Sequence, residues 1–122
     1  MDTDQTWHVV RQERLAIADL LDGLTPAQWE SPSLCAEWRI RDVAAHLTTV
    51  PVPPSAGSLL ADLVRARGSF DRLNTLATRR RAGRPTARIV AELRAHAASR
   101  AVPVVSNDRN VLFDVLVHGQ DI

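Results

Sequence analysis

Between residues 59 and 77 the apolar side chains come at alternating steps of four and three: Leu59, Leu63, Ala66, Phe70, Leu73 and Ala77. Such steps follow the helical turn of about 3.6 residues and keep to one face, whereas a strand needs strict alternation. The spacing predicts a helix over Ser58–Arg79. The rest of the chain gives no opposite signal. β-branched residues form no sustained alternating run, and no Asn-Gly hairpin turn occurs. An all-α fold follows.

The other helices are read from their stripes and their stops. A first helix over Thr6–Leu21 places Trp7, Val10, Ile17, Ala18 and Leu21 on one side and ends at Gly23. Thr25 and Pro26 then look like a cap and first-turn proline opening a short turn through Trp29, and Pro32 breaks the chain again. A second helix starts at Arg39 or Ile40 and ends near Val50, with Ile40, Val43, Leu47 and Val50 inward. The prolines of "PVPPSAG" stop it, because proline lacks the N–H and turns its predecessor away from helical angles. After the polar connection "RRRAGRP", Thr86 caps a further helix with Ile89, Leu93 and Ala97 inward. "VPVVSND" is a loop whose Asn107 or Asp108 caps the last helix. Helices joined by connections of modest length predict an antiparallel four-helix bundle, with an irregular connection after the first helix.

A chain of 122 residues makes one domain, 1–122, large enough to bury a core without staples. Its net charge of +1 exerts little pull on nucleic acid or membrane, and no apolar run approaches the roughly 20 residues that span a bilayer. The one cysteine, Cys35, cannot close an internal disulfide, and "MDTDQTW" is too polar for a secretion signal. A cytoplasmic setting is expected.

The last helix carries the most informative chemistry. In "FDVLVHGQDI", Asp114 and His118 stand one turn apart, and Asp121 and Asn110 share their stripe. Apolar residues cover most of the remaining circumference, and such a helix expects burial. Buried carboxylates are costly unless paired or bound to metal. Asp114 and His118 can clasp one divalent ion, zinc first among candidates, with His46 of the second helix as third ligand. The plain alternative is a hydrogen-bonded Asp–His couple of no further consequence.

Other polar residues have two readings each. Asp42 either accepts the second ring N–H of His46 or simply favours the helix dipole. Arg14 lies on the buried stripe of the first helix. It could face a carboxylate or an anionic substrate, but the preferred reading lays its stem along the core with its head in water. Cys35 reads as a small buried hydrophobe rather than a catalytic thiol. Trp29 and Trp38 anchor the loop, with a ligand-lining role for Trp38 as the second reading. Arg79, Arg80 and Arg81 read as a solvated helix end.

"LTPAQWESPSLCAEWRIRDVAAHL" followed by "FDVLVHGQDI" resembles the N-terminal domain of mycothiol-dependent maleylpyruvate isomerase-like proteins, within the DinB-like metal-binding bundles. The pieces that carry the resemblance are Trp29, Ser33-Leu34-Cys35, Trp38, Arg41-Asp42-Val43, His46-Leu47 and His118-Gly119-Gln120-Asp121-Ile122. The resemblance implies a divalent metal, usually zinc, held by His46, Asp114 and His118, with mycothiol as thiol cosubstrate. The family's isomerase has Glu at the acidic place, one methylene longer than Asp114. The family is largely actinobacterial, in keeping with a chain whose 15 basic residues are all arginine. Relatives commonly continue into a second small domain, so the chain is expected to lack that part.

Three functions stay open at this level. The first is a metal-dependent thiol-using isomerase or S-transferase acting on a small electrophile. The second is a non-catalytic metal-binding bundle serving as small-molecule binder or assembly module. The third is a helical fragment completed by a partner chain, a homodimer included.

Overall fold

A computed structural model describes residues 2–35, 38–49, 51, 56–65, 67, 70–102 and 107–122. Among them are seven helices: α1 Thr3–Asp22, α2 Pro26–Trp29, α3 Ile40–Thr48, α4 Ala56–Arg65, α5 Phe70–Ala82, α6 Thr86–Ala95 and α7 Asp108–Asp121. No strand occurs among the described residues, only an isolated bridge between Pro32 and Arg39. None of their helices is long and apolar enough to cross a membrane.

Helix α1 begins three residues earlier than its apolar stripe indicates. Asp2 accepts from the Gln5 backbone N–H while the Gln5 side chain accepts from the Asp2 N–H, so two orphan donors are met at once. Thr25 and Gln28 repeat this box on α2, with Pro26 at the first helical position as expected. Trp7, Val10, Ile17, Ala18 and Leu21 are all buried, the stripe read from sequence.

The helix expected over Ser58–Arg79 is two helices, α4 and α5. Arg67 between them has φ 53°, in the left-handed region, where a right-handed helix cannot continue. The side chains of Leu59, Leu63, Ala66, Phe70, Leu73 and Ala77 lie outside the described residues, as does Val50. Helix α3 ends at Thr48, short of that residue.

The core is shared by α1, α3, α6 and α7. Val10, Leu21, Val43, Leu93, Ile89, Val111 and Val115 form its centre with Trp7 and Trp29. Helix α1 packs on α6 and α7, and α3 packs on α5, α6 and α7. Gly119 packs close against α1: a Cβ there would stand 3.2 Å from Ile17 Cδ1. Full burial of α7 does not follow. Phe113 is 69% exposed, and Leu116 and Val117 are also exposed, because only the Val111 and Val115 side faces the core.

Two arginines read as solvent-reaching are buried instead. Arg14 is 1% exposed, and its NH1 donates to the carbonyls of Ala97 at 3.3 Å and Ser99 at 2.9 Å. The turn after α6 leaves those carbonyls without helical partners, and the guanidinium satisfies them. Arg81 is 3% exposed and donates through NH1 to the Thr48 carbonyl at 2.8 Å, at the end of α3. Helix α5 runs on to Ala82, which turns Arg81 inward with Thr78 and Ala82.

Candidate metal centre

Helices α3 and α7 deliver the polar cluster. On α3, Asp42 accepts the Arg39 backbone N–H at 2.9 Å, fixing the first turn, and the buried run of Val43, Ala44, Ala45 and Leu47 seats the helix in the core. His46 stands at the edge of that run. On α7, Asn107 accepts the Asn110 N–H at 3.0 Å and starts the helix in register. Asp114 and His118 then fall one turn apart, beside the face that Val111 and Val115 bury.

His46 Nε2 lies 3.5 Å from Asp114 Oδ1, and His118 Nε2 lies 3.2 Å from the same oxygen. The three donor atoms all lie within 4.8 Å of one another. Two ligands each about 2.0–2.1 Å from a tetrahedral zinc stand about 3.3 Å apart. The observed spacings match that edge length, and nitrogen and carboxylate donors are a set that zinc, iron, cobalt or nickel accepts. The residues present therefore fit a divalent cation.

The surroundings keep Asp114 ionised and pack the imidazoles against an indole. Burial alone would raise the Asp114 pKa, but hydrogen bonds from the His118 and His46 rings hold its carboxyl well below the usual carboxylate range. The hydrogen bond to Asp114 raises the His118 pKa against the effect of burial, with Asp121 adding to the rise. Trp38 stacks on His118 with ring centroids 6.2 Å apart and planes at 22°, and it meets His46 at 5.2 Å. The two imidazoles touch edge-on at 4.7 Å. A half-buried indole thus walls one side of both rings.

Asp121 stands where a ring-orienting group belongs: its Oδ2 is 3.1 Å from His118 Nδ1. A carboxylate only accepts, so the Nδ1–H bond to Asp121 leaves Nε2 with the free lone pair when the ring is neutral. Asp42 does not serve His46 in this way. Its oxygens take the Arg39 backbone N–H, Nε and NH2, and His46 Nδ1 is buried with no hydrogen-bond partner among the described residues. The helix start thus claims the Asp42 carboxylate, through a cap on Arg39 that the sequence reading did not include.

Arg14 enters the site electrostatically. Burial pushes its pKa down to about 10, and the Asp114 charge pulls it back up. It stays charged at neutral pH, with Nε and NH2 buried and without a hydrogen-bond partner among the described residues. Sequence reasoning passed over a second grouping here. Cys35 joins His118 and Asp121 with one donor atom from each within 4.8 Å. No local pattern signals it: the loop reaches the end of α7 through the Leu34 N–H, which bonds the Asp121 carbonyl at 3.0 Å.

Fold and cluster together define a domain that is all-helical among the described residues, with a half-buried His–Asp–His convergence drawn from two helices. A family model described as the mycothiol maleylpyruvate isomerase N-terminal domain matches residues 10–108. The chain belongs to that family. The match takes in His46 and Cys35 and ends before Asp114 and His118, whose association with His46 rests on the geometry. Neither a curated protein nor a solved structure matches the chain.

Proposed function

We propose that the chain is a divalent-metal-binding domain that uses a small thiol, mycothiol by family, to isomerise or substitute a small electrophile. The observation that carries this is the meeting of His46 Nε2, His118 Nε2 and Asp114 Oδ1 at one point. When bound, a divalent cation supplies Lewis acidity that lowers the pKa of an incoming thiol. Zinc is the first choice for this donor set. Three protein donors are the number that catalytic sites use while keeping a position open.

The chain's own residues have distinct tasks in this reading. Asp114, ionised through its contacts with both imidazoles, compensates cationic charge. Asp121 holds His118 in the tautomer that turns Nε2 inward. Trp38 limits water on one side of the rings. Arg14 adds a permanent positive charge behind Asp114 and favours anionic ligands. In the isomerase form of the reaction, the thiolate sulfur adds to a conjugated cis double bond and the neighbouring carbon takes a proton. The new single bond rotates, and loss of that proton and of the thiolate restores the double bond as trans. The antiparallel four-helix arrangement of DinB type belongs to the same proposal, supported by the packing of α1 on α6 and α7 and of α3 on α5, α6 and α7.

The test is a cobalt-substituted chain titrated with mycothiol, followed by assay with maleylpyruvate. The account expects a change in the cobalt visible spectrum on thiol addition and turnover that needs both metal and thiol. A cobalt spectrum indifferent to thiol would favour the alternative, a non-catalytic metal-binding bundle.

A further inference from the structure

The imidazole of His118 is presented to carboxylates on both edges. Nε2 faces Asp114 and Nδ1 faces Asp121. Asp121 meets the ring at Nδ1, and Cys35, His118 and Asp121 each offer one ligand atom, all three atoms lying within 4.8 Å of one another. This grouping is held in place by its backbone. Leu34 N–H bonds the Asp121 carbonyl at 3.0 Å, tying the cysteine loop to the end of α7. Ser33 Oγ accepts the Cys35 N–H at 3.1 Å and donates to the Trp38 carbonyl at 2.7 Å. Cys35 itself is half-buried, and burial raises its thiol pKa, helped by the Asp121 charge.

We propose that Cys35, His118 and Asp121 form a second cation site, for a thiophilic divalent ion, on the opposite edge of the imidazole from the first cluster. The donor chemistry separates the two. Two imidazoles and a carboxylate suit borderline ions such as zinc, whereas a thiolate favours softer ones such as cadmium. Thiolate and carboxylate together balance a divalent charge in full, which removes the incentive for a further anion. The first cluster leaves one positive charge uncompensated, which suits an anionic cosubstrate. On binding, the Cys35 thiol loses its proton to solvent, and the His118 ring proton moves from Nδ1 to Nε2, where that N–H donates a hydrogen bond to Asp114. A neutral imidazole has one lone pair, so an ion in either cluster denies His118 to the other. The second site thereby competes with the first through a shared ring.

The experiment is a cadmium titration of the metal-free full chain, read by the ultraviolet thiolate-to-cadmium charge-transfer band, with helicity monitored throughout. Wild type is expected to show the band saturating at a single ion. His46→Ala and Asp114→Asn, which lie outside the second site, should keep it. Cys35→Ser should abolish it. A direct ligand is worth at least what an outer-shell partner is, so Asp121→Asn should weaken binding by about tenfold or more. Absence of the band from wild type, or from both folded first-cluster variants, overturns the proposal. So does a band that Asp121→Asn leaves undiminished, since the thiol then binds alone. Thiol-dependent turnover in a chain that lacks the band would sink this site while leaving the first intact.

Discussion

His46 and Asp114 are 68 residues apart in the chain and 3.5 Å apart in the fold. They sit on α3 and α7, and His118 closes on the same carboxylate oxygen at 3.2 Å. In the metal-free chain the imidazoles serve as hydrogen-bond partners of the carboxylate. With a cation present the same atoms become ligands. The two uses pull in opposite directions with pH, and this gives the first prediction.

The His118 pKa is raised in the fold, so its contribution to stability is complete below the unfolded value of about 6.5 and is lost as pH rises through the folded value. Asp114 is depressed, so its contribution is present above about 3.9 and is lost as pH falls through its folded value. The metal-free chain should therefore melt at a lower temperature near pH 8 than near about pH 6. The zinc-loaded chain should show the reverse trend, because the ligands must be deprotonated. Asp114→Asn should flatten the metal-free profile and bring the His118 titration, followed by NMR, back toward its ordinary range. A His118 resonance unmoved by that substitution would count against the pairing.

Arg14 gives a test of burial. Arg14→Ala removes a packed stem and leaves the carbonyls of Ala97 and Ser99 unpaired. Urea unfolding should show a loss of about 2–4 kcal/mol. An arginine with its head in water would cost no more than about 0.5 kcal/mol, and that smaller value would contradict the buried placement.

The break between α4 and α5 rests on Arg67 at φ 53°. A left-handed residue other than glycine carries about 1–2 kcal/mol of steric cost, partly offset in glycine by the entropy of the unfolded chain. Arg67→Gly should stabilise by about 0.5–1 kcal/mol in denaturant titration. Destabilisation would argue for a helix running through this point.

The sequence carried the elements whose cues are local. The stripe of α1, the Thr25-Pro26 start of α2 and the Asn107 cap of α7 are all where their residues indicate. Spacing and apolar neighbours marked residues 46, 114 and 118 as candidates but left a plain Asp–His couple open, and it was the family resemblance that grouped all three. The fate of polar side chains was not. Arg14 and Arg81 are buried by carbonyls at the ends of other helices, which no local pattern reveals. Asp42 had two available partners, and the cap at Arg39 was the nearer. The exposure of Phe113 depends on which side of α7 its neighbours cover, a tertiary fact.

The central claim is that His46, Asp114 and His118 share one cation. Metal analysis of the purified full chain, with each of the three changed in turn to alanine, tests it most directly. The account predicts a single tightly held divalent ion per wild-type chain, and its loss, with helicity kept, in His46→Ala as well as in the two α7 variants. A folded His46→Ala chain that keeps its full metal content would contradict it.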